Sequence, residues 1–281
     1  MRRNDSSKAH VDPWATPNLP SGLGAVEAAY LNGTGMKAPG LNPKNQTDGY
    51  DIWISEDGPN TFTFMNNATN GTSLILVVWD HDPESTTDSS FLTMRAPNIT
   101  HPIPHGQNFT ISVANNVSGA WAAMYVNSSA PEYWPDTNLN KYGQVNGTWG
   151  EFKTGRNATI AVSRLVNMRG RPMSVDIEGS KCVANHSKCA FTCYNHLTCD
   201  RGVPGDYYLS GCNGTYVEDQ SYWVVPSEGC EKDHDEEGCD DDDEAEDDEQ
   251  LCDPNMNDGL KHVKGGCIGW SDGGHLGVVF F

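Results

Sequence analysis

The run NGTWGEFKTGRNATIAVSRLVNMRGRPM, from Asn146 to Met173, decides how the rest of the chain is read. A Trp-x-Glu-Phe segment, Trp149 to Phe152, leads into the alternating run Thr159–Leu165, and the pair Pro172-Met173 introduces a further strand, RPMSVDI. Working outward, Thr61–Met65, Ser73–Trp79, Asn108–Val113 and Ala120–Tyr125 repeat the pattern. These are short runs rich in β-branched and aromatic residues, separated by Asn, Gly and Pro turns. Several such strands with almost no helix signal predict an all-β sandwich or barrel.

The chain has 281 residues, 37% of them hydrophobic, with eight Trp, ten Tyr and eight Phe to fill a core. Its formal net charge of −20 excludes a nucleic-acid partner, because phosphates demand a basic surface. Much of that charge is local: residues 231–249 hold fourteen acids and one Lys. Blocks of like charge are usually solvated, and a plain stack of acids lacks the defined turns of a Ca²⁺ site. No run approaches the ~18 apolar residues of a membrane span.

Glycosylation sequons define the compartment. Asn-x-Ser/Thr begins at Asn4, Asn32, Asn45, Asn67, Asn70, Asn98, Asn108, Asn116, Asn127, Asn146, Asn157, Asn185 and Asn213. With 24 Asn and 39 Ser or Thr, chance placement yields roughly three such triplets, against thirteen observed. Nine Cys point the same way, since disulfides persist in oxidising compartments. The expectation is a secreted, extracellular glycoprotein. Residues 1–20 have a basic start but no apolar h-region, so no signal peptide is visible there, and the true N-terminus is expected to be missing from this sequence.

Four regions are expected. Residues 1–59, rich in Pro, Gly and Asn without periodicity, read as an irregular extension. Residues 60–181 form the sandwich core. All nine Cys fall after it, at 182, 189, 193, 199, 212, 230, 239, 252 and 267, so 182–250 reads as a disulfide-stapled, loop-rich region that includes the acidic run. Residues 251–281 return to the sandwich, ending in the strand-like LGVVFF.

In order, these segments resemble thaumatin-like proteins over about 60–281. TFTFMNNATNGTSLILVVWDHD looks like the family's opening strand pair. HPIPHGQNFTISVANNVSGAWAAMY looks like the next pair, running through Gly and Gly-x-Trp. TWGEF matches the Leu-Ala-Glu-Phe segment, RPMSVDI the strand after Pro-Met, and LGVVFF the last strand. The resemblance implies a thaumatin-like β-sandwich with a disulfide-rich loop region. By family position it implies Cys182–Cys267 and Cys189–Cys252, leaving Cys193, Cys199, Cys212, Cys230 and Cys239 unassigned. The disulfide that ties the family's first strand to its last has no counterpart: no Cys stands among Asn66–Thr69 or at Phe281.

The family's acidic groove, which in some members supports weak β-1,3-glucan binding or hydrolysis, maps onto Glu151. Its other members are replaced: Ala122 and Ala123 stand in the place of an Arg, Ala161 or Val162 in that of an Asp, and only Glu132 or Asp136 lies near the lost Gly-Asp-Cys-Gly-Gly segment. Hydrolysis of a glycosidic bond needs two carboxylates, about 5 Å apart for retention or about 6.5–9.5 Å for inversion. Glu151 with Glu132 or Asp136 is the one pair available, and Tyr133, Trp134, Tyr142 and Trp149 are candidates for stacking on sugar rings. Because the Arg and Asp companions are gone, binding of cell-wall β-glucan or another extracellular partner is favoured over catalysis. A weak endo-β-1,3-glucanase and a protein-interacting effector or inhibitor are the alternatives. Dense sequons on a degenerate family pattern would suit a fungal secreted protein.

Other chemistry is not encoded. Asp253-Pro-Asn-Met-Asn-Asp-Gly259 resembles an EF-hand loop, but its Gly is one place late and no Glu follows at position 12. His186 and His196 lie near Cys, where disulfides fit a secreted chain better than zinc. No nucleophile elbow, P-loop or dinucleotide fingerprint occurs, so neither a metal nor another cofactor is expected.

Overall fold

The computed structural model describes residues 11–46, 49–81, 92–126, 139–156, 158–194, 207–210, 266–267 and 273–281. The strands in chain order are β1 (Ile52–Trp53), β2 (Asn60–Asn66), β3 (Ser73–Asp80), β4 (Ile99–Ile103), β5 (Asn108–Val113), β6 (Ser118–Val126) and β7 (Trp149–Lys153). They continue with β8 (Thr159–Ser163), β9 (Met173–Ile177), β10 (Val183–Asn185), β11 (Ala190–Cys193), β12 (Tyr207–Ser210) and β13 (Gly274–Phe280). One sheet has the order β1-β5-β2-β13-β9-β10 and the other β12-β11-β8-β7-β6-β3-β4. The expected all-β class is observed, as two mixed sheets packed face to face.

In the first sheet β2, β9 and β13 read as strict alternation, because there only one face is covered. Asn60, Phe62, Phe64 and Asn66 are buried along β2, with Thr61, Thr63 and Met65 turned outward. In β13, Leu276, Val278 and Phe280 are buried, and in β9 Met173, Val175 and Ile177. β2 and β13 run parallel and in register from Asn60↔Gly274 to Asn66↔Phe280. This first long strand is therefore bound directly to the last one by its backbone ladder. Outside, Thr61 Oγ1 meets His275 Nδ1 at 2.9 Å, and the Thr63 and Thr110 hydroxyls meet at 2.9 Å.

The second sheet is buried on both faces, which is why SLILVVW and SGAWAAMYV are unbroken apolar runs. Leu74, Leu76, Val78, Trp121, Ala123 and Phe152 face the first sheet. Ile75, Val77, Trp79, Ala120, Ala122, Met124 and Trp149 face away, into a second apolar cluster completed by Leu23, Ala28, Tyr30, Leu31 and Met36. Those last residues correct the expectation of an irregular extension over 1–59. Residues 11–46 cover the outer face of the sheet, and α1 (Ala25–Gly33) buries Ala28, Tyr30 and Leu31 against it. Nine residues are marginal as an isolated helix, and the Gly24 cap makes no side-chain hydrogen bond, so packing rather than propensity holds it. Buried Asn42 clips the segment in place: its Nδ2 donates to Thr100 O at 2.8 Å and its Oδ1 accepts from Thr100 N at 2.9 Å. Gly40 approaches so closely that a Cβ there would lie 2.6 Å from the Ile99 carbonyl carbon.

The expected loop region also needs correction in its first part. β10 pairs with β9 in one sheet, while β11 pairs with β8 and β12 in the other, so residues 183–193 and 207–210 extend both sheets. Cys182 is bonded to Cys267 across 85 residues of sequence. Cys267 also exchanges backbone hydrogen bonds with Ile160, at 2.7 and 2.9 Å. Cys189 and Cys193 are disulfide-bonded as well, with partners beyond the described residues, where Cys199, Cys212, Cys230, Cys239, Cys252 and the acidic run also lie.

His101, on β4, is stacked on Phe109 with ring centroids 3.8 Å apart, and its Nδ1 is buried with no hydrogen-bond partner. Burial holds its imidazole below the usual value of 6.5. The unfolded chain therefore takes up a proton near pH 6.5 that the folded chain refuses, and stability falls as pH drops through that value while staying level above it. Thermal melts from pH 8 to 5.5 should show this loss reduced in His101→Gln. An identical pH profile in the variant would contradict the assignment.

Candidate functional site

Glu151 lies on β7 with Trp149 and Lys153, on the face of the sheet turned away from the sandwich core. Its cross-strand partners are Ala120 on β6 and Ala161 on β8. These small side chains leave the carboxylate half-buried, and it acts across the sheet on Tyr207. The Tyr207 phenol is held above its ordinary range first by burial and then by the Glu151 charge. Glu132, Tyr133, Trp134 and Asp136 lie outside the described residues. Among the described residues, no second carboxylate stands beside Glu151 in the strand register.

Trp149 is a correction. It is 3% exposed, stacked on Trp79 at 5.3 Å, with its Nε1 donating to Val145 O at 2.8 Å. A side chain so committed cannot offer a face to a sugar. Tyr142 is half-buried in the loop before β7, with the Lys141 ammonium 4.7 Å over its ring.

A cavity of about 380 Å³ opens elsewhere, at the β11–β12 edge. β8 packs against β9 and β10, so β11 and β12 carry their sheet past the edge of the other. Along β11, Ala190 and Thr192 are both buried, and Tyr194, just past the strand end, is exposed. Tyr208 stands opposite Thr192, and Ser210 opposite Ala190. Thr192, Tyr208 and Ser210 form the wall, with Arg164 and Met168 from the β8–β9 loop and His186 and Ser187 from the β10–β11 turn. Tyr194, 56% exposed, packs beside Tyr208 with ring centroids 4.8 Å apart.

The polar groups of this wall are held firmly. Arg164 Nη1 donates to His186 O at 3.0 Å, and Nη2 donates to Met168 O. Thr148 gives its single hydroxyl proton to Arg171 O at 2.7 Å, so its oxygen accepts from His186 Nε2 at 2.9 Å. Burial, and then the neighbouring Arg164 charge, hold the His186 imidazole below its ordinary range. Asn185 shapes the turn, its Oδ1 accepting from Ser187 N at 2.9 Å and Lys188 N at 3.0 Å. The Thr192 and Ser210 hydroxyls share Ala190 O through long bonds of 3.3 and 3.1 Å, weak enough to turn toward a ligand.

Of the wall residues, sequence reading singled out His186 alone, because the wall is assembled from four segments between residues 164 and 210. Its one local signal is the pairing of Thr192-x-Tyr194 with Tyr208-x-Ser210, visible only once their strands are known to be neighbours.

The Cys182, Cys189 and Cys267 sulfurs lie within 4.8 Å of one another. All three belong to disulfides, so none is a thiolate able to hold a metal. Of the sequon residues, Asn32, Asn45, Asn67, Asn108, Asn116 and Asn146 are exposed and Asn98 and Asn185 half-buried. Asn4, Asn127, Asn157, Asn213 and the side chain of Asn70 lie outside the description. No protein-family model matches this chain, and no curated protein matches it.

Proposed function

We propose that the protein is a secreted, N-glycosylated sandwich of thaumatin-like type that binds an extracellular saccharide without cleaving it. The observation that carries this reading is Tyr194, more than half exposed, packed beside Tyr208, which lines a cavity walled by hydroxyl, imidazole and guanidinium groups. An apolar ring face flanked by a few convergent polar groups is the usual make-up of a small-ligand site. Six exposed sequon asparagines and the Cys182–Cys267 bond support an oxidising, extracellular setting. The parallel β2–β13 ladder supports the thaumatin-like reading, since that family also joins its first strand to its last. Binding is preferred to hydrolysis because Glu151 has alanines, not a second acid, as its cross-strand partners.

A glycan array probed with the whole protein tests the proposal. At least one saccharide should be captured, and Tyr194→Ala should weaken that capture about tenfold or more, on the order of 1.4 kcal/mol. Because Tyr194 is exposed, the melting temperature should stay within about 2 °C of wild type. Full retention of binding in Tyr194→Ala would remove this edge from consideration as the site.

A further inference from the structure

Among the described residues, no carboxylate pairs with Arg164. Arg164 is half-buried, and its hydrogen bonds run to two backbone carbonyls, those of His186 and Met168. Its Nε is buried with no partner at all. Among the described residues, the one salt bridge joins Arg95 to Asp80 on another strand, and no wall residue of the cavity is acidic. In a chain of net charge −20, carboxylates are not scarce. Burying a guanidinium away from water is costly unless a counter-charge is supplied, and the described residues supply only carbonyl dipoles.

Each Nη nitrogen carries two protons, of which one is committed to a carbonyl, so Nη1 and Nη2 each keep a second N–H. With the unpartnered Nε–H, these leave N–H donors of the kind that a carboxylate's two oxygens accept. His186 cannot cancel this charge. Its Nε2–H is spent on Thr148, and it is itself a weak base that becomes cationic if it titrates. The Thr192 and Ser210 hydroxyls and the Tyr194–Tyr208 pair then provide what the rest of a sugar ring needs.

Resting on the saccharide-binding reading above, we infer that this cavity selects an acidic saccharide, a uronate whose carboxylate is held by Arg164 while its ring lies against Tyr194 and Tyr208. The negative net charge does not oppose this. No acidic residue lines the cavity, and a direct Arg164–carboxylate contact is far less screened by salt than charges beyond the ~8 Å Debye length.

The test titrates the full protein with trigalacturonate, with its methyl ester, and with a neutral β-1,3-glucotriose, by calorimetry at fixed salt. Trigalacturonate should bind at least tenfold more tightly than the ester, and Arg164→Gln should abolish that preference. The ester comparison uses wild-type protein, so it decides the matter even if Arg164→Gln fails to fold. Equal affinity for acid and ester would overturn the inference, and if the neutral sugar also bound, the saccharide reading would survive it. No heat from any of the three would overturn the acidic-sugar inference and leave the saccharide reading to the array. A preference that persists in folded Arg164→Gln would also overturn it, by removing Arg164 as the carboxylate's partner.

Discussion

Trp121→Ala is expected to remove about 3–5 kcal/mol of folding stability, the range seen when a fully buried large aromatic is truncated. The indole is at the centre of the space between the two sheets. Phe62 and Phe64 meet it edge-on at 5.9 and 5.5 Å, Phe152 stacks on it at 5.8 Å, and its Nε1 donates to Met173 Sδ at 3.3 Å. These neighbours come from β2, β7 and β9, so the cavity left behind would be walled by both sheets and could not collapse locally. At roughly 2–4 °C per kcal/mol for a chain of this size, the melting temperature should fall by roughly 6–20 °C, read by circular dichroism. Gly150 supplies an independent check, because a Cβ there would lie 2.0 Å from the indole Cε2. Gly150→Ala should therefore destabilise strongly on its own, yet cost much less in a Trp121→Leu background, a non-additivity expected only of residues in direct contact. A loss under 1 kcal/mol for Trp121→Ala would contradict this account of the core.

Removing the Cys182–Cys267 bond is expected to cost about 4–5 kcal/mol, from the loop-closure entropy of the 85-residue separation it spans. The double variant Cys182→Ser/Cys267→Ser is the one to measure. A single replacement would leave a thiol in place, and Cys182 Sγ lies only 3.9 Å from the disulfide sulfur of Cys189, within reach of exchange. Chemical denaturation of the double variant should show the loss, and hydrogen exchange should speed first at the Cys267 and Ile160 amides that bridge that edge. The β2–β13 ladder, lying in the other sheet, should keep its protection. Denaturation midpoints equal to wild type would mean that the excursion between the two cysteines is already ordered by other contacts.

How much of this was legible beforehand follows from how far each feature depends on its neighbours in the chain. The strands at 61–65, 73–79, 108–113 and 120–125 were readable because side-chain alternation and turn residues are local. Each proved to run zero to two residues longer at either end than its sequence signal. α1 was not readable. It has no polar cap and only nine residues, and it exists because Trp79, Ala122 and Met124 present an apolar floor to Tyr30 and Leu31. Trp149 shows the same limit from the other side. Aromatic identity suggested a stacking surface, but that face of the sheet is covered by a segment more than a hundred residues earlier in the chain.

The sequence by itself determined an all-β chain and the places of its sequons and cysteines, because those properties are written in residue type and near-neighbour spacing. Only the tertiary structure decided that the first long strand lies beside the last, that one sheet is buried on both faces, and that Arg164 and Tyr208 line one cavity. These depend on strand order and on which sheet overhangs the other. Backbone hydrogen bonding and apolar burial settle such choices between segments a hundred or more residues apart, where local spacing carries no signal.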